Sequence, residues 1–318
     1  VLSLVRARAR IVAMALGFGA FEMVVGLSYA SVDQNAIRSL VESLPPALRA
    51  LAGSSDLASP AGYLGSGYLH PVALTIQGAL VLSLASAPVR DIEEGRAELL
   101  LSRPLPPWKW VLAQVAAMAI ALGVVVLGGF AGGLVAITNV DALAGVGVGS
   151  LALVSIGGYL CFGAIGALAL VIGSLSRSGA RAVGFAAGVT VVMYAVDYLA
   201  EIWTLAEPLA PLSVFTYYDP GVILASGELP GEDVLALMVV ACVAALAAHL
   251  GCGRRELASW PAAPSGRWRA ATGACPGGRP VRGTCAVPRT RSRPGAGSGW
   301  STRSTSTDSM RRSRRTAP

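Results

Sequence analysis

Long uncharged stretches recur along this chain, and a water-soluble fold has no means of burying so many of them. Six run over approximately residues 11–31, 66–88, 111–137, 145–173, 182–200 and 234–250. A helix needs about 20 apolar residues to cross the hydrocarbon core, and each stretch is close to that length. Only 14% of the 318 residues are charged, whereas a soluble domain has about 25%. Backbone groups in lipid must pair within their own segment. The pattern therefore predicts an all-α integral membrane protein with about six transmembrane helices.

The connecting segments indicate which way these helices cross the membrane. Basic residues collect on the cytoplasmic side of membrane proteins. In this chain they fall in alternate segments, and the intervening segments hold only Arg38 and Arg49. Both termini are therefore expected in the cytoplasm, in a multi-pass protein of the cell membrane. The basic residues of the cytoplasmic segments are Arg6, Arg8, Arg10, Arg90, Arg96, Arg103, Lys109, Arg177, Arg181, Arg254 and Arg255.

The composition changes abruptly near residue 258. Residues 1–258 are predicted to form the membrane domain, whereas residues 259–318 are rich in Arg, Pro, Gly and Ser. Such a tail buries too little apolar surface to offset its ordering entropy, so it is predicted to be disordered. It also carries the excess of positive charge, which therefore does not indicate a nucleic-acid partner. Arg-rich tails can bind anionic lipid or nucleic acid, but an out-of-frame reading of GC-rich coding DNA, a frameshift product, would give the same composition.

Several catalytic and binding motifs are missing from the sequence. A nucleotide-binding P-loop requires G-x-x-x-x-G-K-[S/T], and the single lysine, Lys109, lies between two tryptophans. No H-E-x-x-H motif occurs, and neither His70 nor His249 has a cluster of metal ligands near it in sequence. The chain is therefore expected to be no enzyme and to bind no metal and no cofactor. Any ATP that drives it must be bound by a separate subunit.

One acidic residue, Glu22, lies in the middle of the first apolar stretch. Charge inside the bilayer is costly, so such residues usually face a cavity or a partner. Two interpretations are open: Glu22 belongs to a translocation path or gate, or it makes a structural hydrogen bond to a neighbouring span. His70-Pro71 is predicted to mark the outer start of the second span.

The segments on the predicted outer side also carry apolar residues. Ile37, Leu40, Val41 and Leu44 recur at helical spacing, which predicts a short amphipathic helix on the outer face. Residues 212–218 form an apolar run within the last outer loop. This run is predicted to dip into the membrane or to lie at its interface. The glycine pairs of residues 128–133 permit close helix approach, and generic packing is their expected role.

The cytoplasmic segment after the second stretch has the most informative pattern. Residues 91–104 read D-I-E-E-G-R-A-E-L-L-L-S-R-P. The pattern predicts a short amphipathic helix at the membrane surface, with acids in its opening turn, where they suit the helix dipole, and with Pro104 at its end. A solvated interfacial loop is the alternative interpretation.

This pattern is similar to the first cytoplasmic loop of type-2 ATP-binding-cassette (ABC) permeases. Residues 43–53 resemble the outer helix after the first span of that family, and residues 211–220 resemble the segment before its last span. The resemblance covers about residues 5–258. The sequence differs at Arg96, where the family commonly has Thr, and at Pro106-Pro107, where it has a basic pair. In that family the loop docks into a cleft of the ATPase subunit. The resemblance assigns this coupling role to Glu93, Glu94, Gly95, Arg96, Glu98, Leu99, Leu100, Leu101, Ser102 and Pro104.

The resemblance implies the permease subunit of an ABC exporter. Such a subunit dimerises, with itself or with a sibling, and recruits ATP-binding subunits that drive alternating access. The rival interpretations are a membrane scaffold and a proton-linked carrier. A carrier should show several intramembrane acids and an internal repeat, whereas Glu22 is the one convincing acid and no repeat is evident.

Overall fold

The computed structural model describes residues 2–43, 57–94, 107–176 and 178–259. All regular structure in these residues is helical. The predicted tail lies outside them, except for Ser259. Short 3-10 turns occur at Tyr29–Ser31, Asp141–Leu143, Glu207–Leu212 and Phe215–Tyr217. The ten α-helices of the described residues are α1 (Leu2–Ser28), α2 (Gln34–Ser43), α3 (Pro60–Tyr68), α4 (Pro71–Ala85), α5 (Ala87–Glu93), α6 (Pro107–Asn139), α7 (Val148–Leu175), α8 (Gly179–Ile202), α9 (Pro220–Ser226) and α10 (Gly231–Ser259).

Six helical segments in this part of the chain are long and apolar enough to cross a membrane. The prediction of an all-α membrane protein with six spans is therefore confirmed. Because six is even, the first span begins and the last span ends on one side, which we call the N-terminal face. The other side is the opposite face. The spans are Ala7–Ser31, Pro60–Ala85, Val111–Asn139, Val148–Leu175, Gly179–Ile202 and Gly231–Gly251.

Helix α7 forms the centre of the bundle. It contacts α4, α6, α8, α9 and α10, and its Gly and Ala residues let these neighbours approach closely. Helix α8 lies at the periphery, with Phe185 and Val191 exposed. Exposed apolar side chains of this kind are what a lipid-facing surface requires.

Helices α1 and α6 make the most extensive contact in the bundle. A Cβ atom at Gly19 would lie 2.5 Å from the Gly128 carbonyl oxygen, and one at Gly132 would overlap the backbone of Gly19. The two backbones therefore meet directly. The glycine pairs of α6 serve packing within the chain, as the sequence predicted.

The second span is not one helix, and the predicted start at His70-Pro71 is wrong. Helix α3 ends at Tyr68 and α4 begins at Pro71, so the dipeptide interrupts the span. Pro71 has no N–H and disfavours helical backbone at the preceding residue. His70 is accordingly extended, with φ −61° and ψ 142°, and its Nδ1 accepts a hydrogen bond from the Val72 amide at 3.3 Å.

The predicted opening turn of the cytoplasmic helix also differs. Asp91 and Glu93 lie in the final turn of α5, not in the first turn of a helix. The helix begins earlier than predicted because Pro88 favours a helix start at this point. The first turn of a helix needs no hydrogen bond from the backbone N–H that proline lacks. On the opposite face the predicted amphipathic helix is confirmed as α2, although Leu44 falls outside the described residues.

The segment between α8 and α10 packs into the bundle. Val214, Phe215 and Tyr218 are buried, and α9 contacts α3 and α7. The Asp219 carboxylate begins α9 by accepting a hydrogen bond from the Val222 amide at 3.0 Å. Gly227 ends it with a positive φ of 70°, a conformation that favours glycine.

Candidate functional site

Two of the ten predicted coupling residues lie in the described part of the chain. Glu93 is the last residue of α5, and Glu94 is the residue that caps it. Both are at the N-terminal face, where the loop to α6 begins. The other predicted coupling residues lie outside the described residues; they are Gly95, Arg96, Glu98, Leu99, Leu100, Leu101, Ser102 and Pro104.

Glu93 connects the start of this loop to the fifth span. Its Oε2 accepts a hydrogen bond from the backbone amide of Gly179, the first residue of α8, at 2.9 Å. The side chain of Ser178, the residue before α8, makes no capping hydrogen bond. A carboxylate from another helix therefore satisfies one of the free amides of α8 and complements the positive end of its dipole.

Arg90 connects the same helix to the second span. Its guanidinium donates a hydrogen bond to the Ser83 carbonyl in α4, and its aliphatic part packs on Gly179, where a Cβ atom would collide with it. The carbonyl of Leu84, the residue after Ser83, accepts a hydrogen bond from the Gln114 side-chain amide of α6 at 2.6 Å. The base of the loop is thus linked to α4 and α8, and the adjacent end of α4 is linked to α6.

Replacing Glu93 should test how much this contact stabilises the bundle. Glu93→Ala should lower the free energy of unfolding by about 1 kcal/mol, as loss of a helix cap does. Glu93→Gln should lower it less, because an oxygen acceptor remains. The measurement is the thermal unfolding midpoint of the purified full chain in detergent. Glu201→Ala is the control, since an acid in the last turn of α8 opposes the helix dipole and its loss should not destabilise. Equal destabilisation by Glu93→Ala and Glu201→Ala would contradict this role for Glu93.

The Glu22 side chain is fully buried in the first span. Neither of its carboxylate oxygens makes a hydrogen bond to any residue that the structure describes. The predicted structural hydrogen bond to a neighbouring span is therefore not found among these residues. The carboxylate lies against Gly67 of α3, where an added Cβ atom would be 2.9 Å from Oε2.

Two tyrosines share these surroundings. The Tyr68 hydroxyl is buried, beside the Ser155 hydroxyl of α7 and close to Glu22. Its ring packs edge-on against Phe18, with centroids 6.1 Å apart. The Tyr218 hydroxyl donates to the Val154 carbonyl at 3.2 Å. Burial raises the pKa of Tyr218 well above its usual value. Tyr218 therefore remains a neutral hydrogen-bond donor.

An open groove of about 930 Å³ runs along the exposed side of α8. It extends from Ser176 and Arg181, near the N-terminal face, to Leu212 and Ser213, near the opposite face. Between these ends it is lined by apolar side chains such as Phe185. Glu22 is not among its lining residues.

Comparison with known proteins does not assign this arrangement to a family. No family model matches the sequence, and no curated protein matches it. Within the described residues, no group of three or more His, Cys, Asp or Glu side chains could hold a metal ion.

Sequence reasoning identified Glu22 and Glu93 but not the residues around them. The predicted stretch 66–88 includes Gly67 and Tyr68, but their position against Glu22 depends on the helix Pro60–Tyr68, most of which precedes that stretch. Gly179 was missed because a backbone amide carries no side-chain signal. The isolated break at His70-Pro71, read together with the apolar residues before it, could have revealed α3.

Proposed function

We propose that this chain is the membrane-spanning permease subunit of an ABC exporter. In this proposal a separate ATP-binding subunit supplies the energy, and the chain switches its spans between inward and outward access without catalysing a covalent step. The observation that carries the proposal is the pair of contacts made by Glu93 and Arg90. They join the start of the candidate coupling loop to the ends of two spans.

These contacts have the geometry that a coupling element requires. A displacement of α5 by a docked partner would act on α8 through Glu93 and on α4 through Arg90, because both contacts are direct. Both bonds involve a charged side chain, and such hydrogen bonds are about twice as strong as neutral ones. Movement at the loop would therefore be transmitted to the spans.

The charge distribution supports a cytoplasmic position for this loop. Arg8, Arg10, Arg90, Lys109 and Arg181 all lie at or near the N-terminal face. Basic residues favour the cytoplasmic side, where ATP is present. In the proposal both termini are cytoplasmic as well, and the protein belongs to the cell membrane.

The proposal includes a second permease, as a homodimer or a heterodimer. Helix α8 is the least buried of the six spans. Its groove leaves a long apolar face available for another helix in the bilayer. The remaining apolar surface would face lipid.

Co-purification with a candidate ATPase subunit, expressed together with this chain, tests the proposal. The full chain should retain the ATPase in detergent. The double variant Glu98→Arg with Leu100→Asp should abolish the association, because it inverts the charge at one docking position and places a charge at an apolar one. Glu207→Arg with Leu209→Asp is the matched control, with the same spacing on the opposite face. It should bind the ATPase as wild type does.

Other results of this experiment would count against the proposal. If wild type and both variants retain the ATPase equally, the loop around Glu98 is not the docking element. If none of them binds it although all are folded and inserted, a membrane scaffold or a proton-linked carrier becomes the better interpretation.

A further inference from the structure

Glu22 lies beside an interruption in the second span. Helix α3 ends at Tyr68, one residue after the Gly67 that contacts the Glu22 carboxylate. Phe21, the residue before Glu22 in α1, packs against His70 with ring centroids 5.1 Å apart. The carboxylate is therefore at the same level of the bundle as the break between α3 and α4.

The end of a helix inside a membrane protein is an electrostatic feature. Its last carbonyl groups lack partners within the helix and carry the negative end of the helix dipole. Discontinuous helices use such ends to hold small cations near the middle of the bilayer. At α3 this end adjoins a carboxylate, so two negative features meet in a buried place.

No basic side chain neutralises Glu22 in the described structure. The titratable groups that interact with it are Tyr68 on α3 and Tyr218 before α9. Cys161 on α7 and Asp219 lie near Tyr218, and His70 packs on Phe21, the neighbour of Glu22 in α1. The described spans α6 and α7 have no charged residue between Val111 and Asn139 or between Val148 and Leu175. Ser155 on α7 lies near Tyr68, but its hydroxyl donates to the Leu151 carbonyl at 2.9 Å.

An ionised carboxylate is very unfavourable in such surroundings unless a partner or a bound cation compensates it. On the Gly67 side the carboxylate has no room for an ion, because a methyl group there would already lie 2.9 Å from Oε2. A metal ion would need several oxygen ligands around it, whereas a proton needs only one oxygen. The geometry thus favours the smallest cation.

We infer that Glu22, enclosed by Gly67 and Tyr68 at the end of α3, is a proton-binding site of this protein. Glu22 takes its proton from solvent, forming an O–H bond on one carboxylate oxygen, and holds it while α1 is packed on α3. Separation of α1 from α3 would admit water and release the proton to it. This inference is independent of the proposed ATPase partner, since it rests only on contacts within the chain.

Infrared spectroscopy of the full chain in liposomes tests the site directly. At neutral pH the wild type should show the carbonyl stretch of a protonated, buried carboxylic acid, and the band should shift in D₂O. Glu22→Gln should lack this band. Glu228→Gln, which removes an exposed acid in the segment before α10, should retain it. A wild-type spectrum identical to that of Glu22→Gln at neutral pH would overturn the inference, as would a band that disappears when NaCl replaces choline chloride.

A second measurement needs only the wild-type chain, in case Glu22→Gln does not fold. A hydrophobic carbodiimide reacts with protonated carboxyl groups inside membranes and forms a stable adduct. Peptide mass spectrometry should locate the adduct at Glu22, with a yield that falls as pH rises. Absence of an adduct at Glu22 across the acidic and neutral range, with labelling at exposed acids, would count against a protonated site.

Discussion

Replacing Tyr218 by alanine should destabilise the bundle more than any other single truncation in the segment before α10. The side chain is 2% exposed, its ring lies on Gly157 and Gly158 of α7, and its hydroxyl bonds to Val154. Removing a buried aromatic side chain costs about 3–5 kcal/mol, through lost contacts and the cavity that remains. Titration of the purified protein with sodium dodecyl sulfate in mixed micelles gives the free energy of unfolding.

Two further variants separate the causes of this loss. Tyr218→Phe keeps the ring and removes the hydroxyl, so it should cost only about 1 kcal/mol, the typical contribution of one hydrogen bond. Tyr217→Ala is the control at the neighbouring position, whose side chain is only partly buried. If Tyr217→Ala destabilises as much as Tyr218→Ala, the packing of Tyr218 into the bundle is not the source of stability.

Gly132→Ala should destabilise the contact between α1 and α6. Its Cβ atom would overlap backbone atoms of Gly19, which have no rotamer to change. The helices must then separate along the whole contact, and overpacking of this kind costs about 1–3 kcal/mol or more. The same denaturant titration measures the effect, and size-exclusion chromatography after heating shows whether folded protein is lost.

Gly123→Ala is the matched control on the same helix. A Cβ atom at Gly123 would meet only the Tyr159 ring at 3.8 Å, an ordinary contact. This variant should keep the stability of wild type or gain slightly, because alanine is the better helix former. Equal behaviour of the two variants would falsify the assignment of Gly132 to a direct backbone contact.

The spans could be predicted because each depends on local composition alone. A bilayer imposes a length and an apolar content on every crossing helix, so the boundaries at Val111–Asn139 and Val148–Leu175 follow closely from the sequence. The second span was the exception. Its first half, Pro60–Tyr68, has only 9 residues, too few to be recognised as part of a crossing helix.

The surroundings of the functional residues depend on packing between distant segments. Glu93 and Gly179 are 86 residues apart, and no local pattern relates them. Tyr218 reaches Val154 across 64 residues. Sequence reasoning could mark a costly charge such as Glu22, because its cost is local, but its enclosure by Gly67 and Tyr68 requires the arrangement of the helices.

The contact between α1 and α6 also bears on how the chain is made. Helix α1 is synthesised before α6, and the glycine face of α6 against which it packs follows roughly 100 residues later, which at translation rates of about 5–20 residues per second is a delay of about 5–20 s. During this interval the surface of α1 around Gly19 contacts lipid or the insertion machinery instead of α6. Glu22 enters the membrane before Gly67 and Tyr68 exist to enclose it. The close backbone contact of the folded bundle can therefore form only after the third span has entered the membrane.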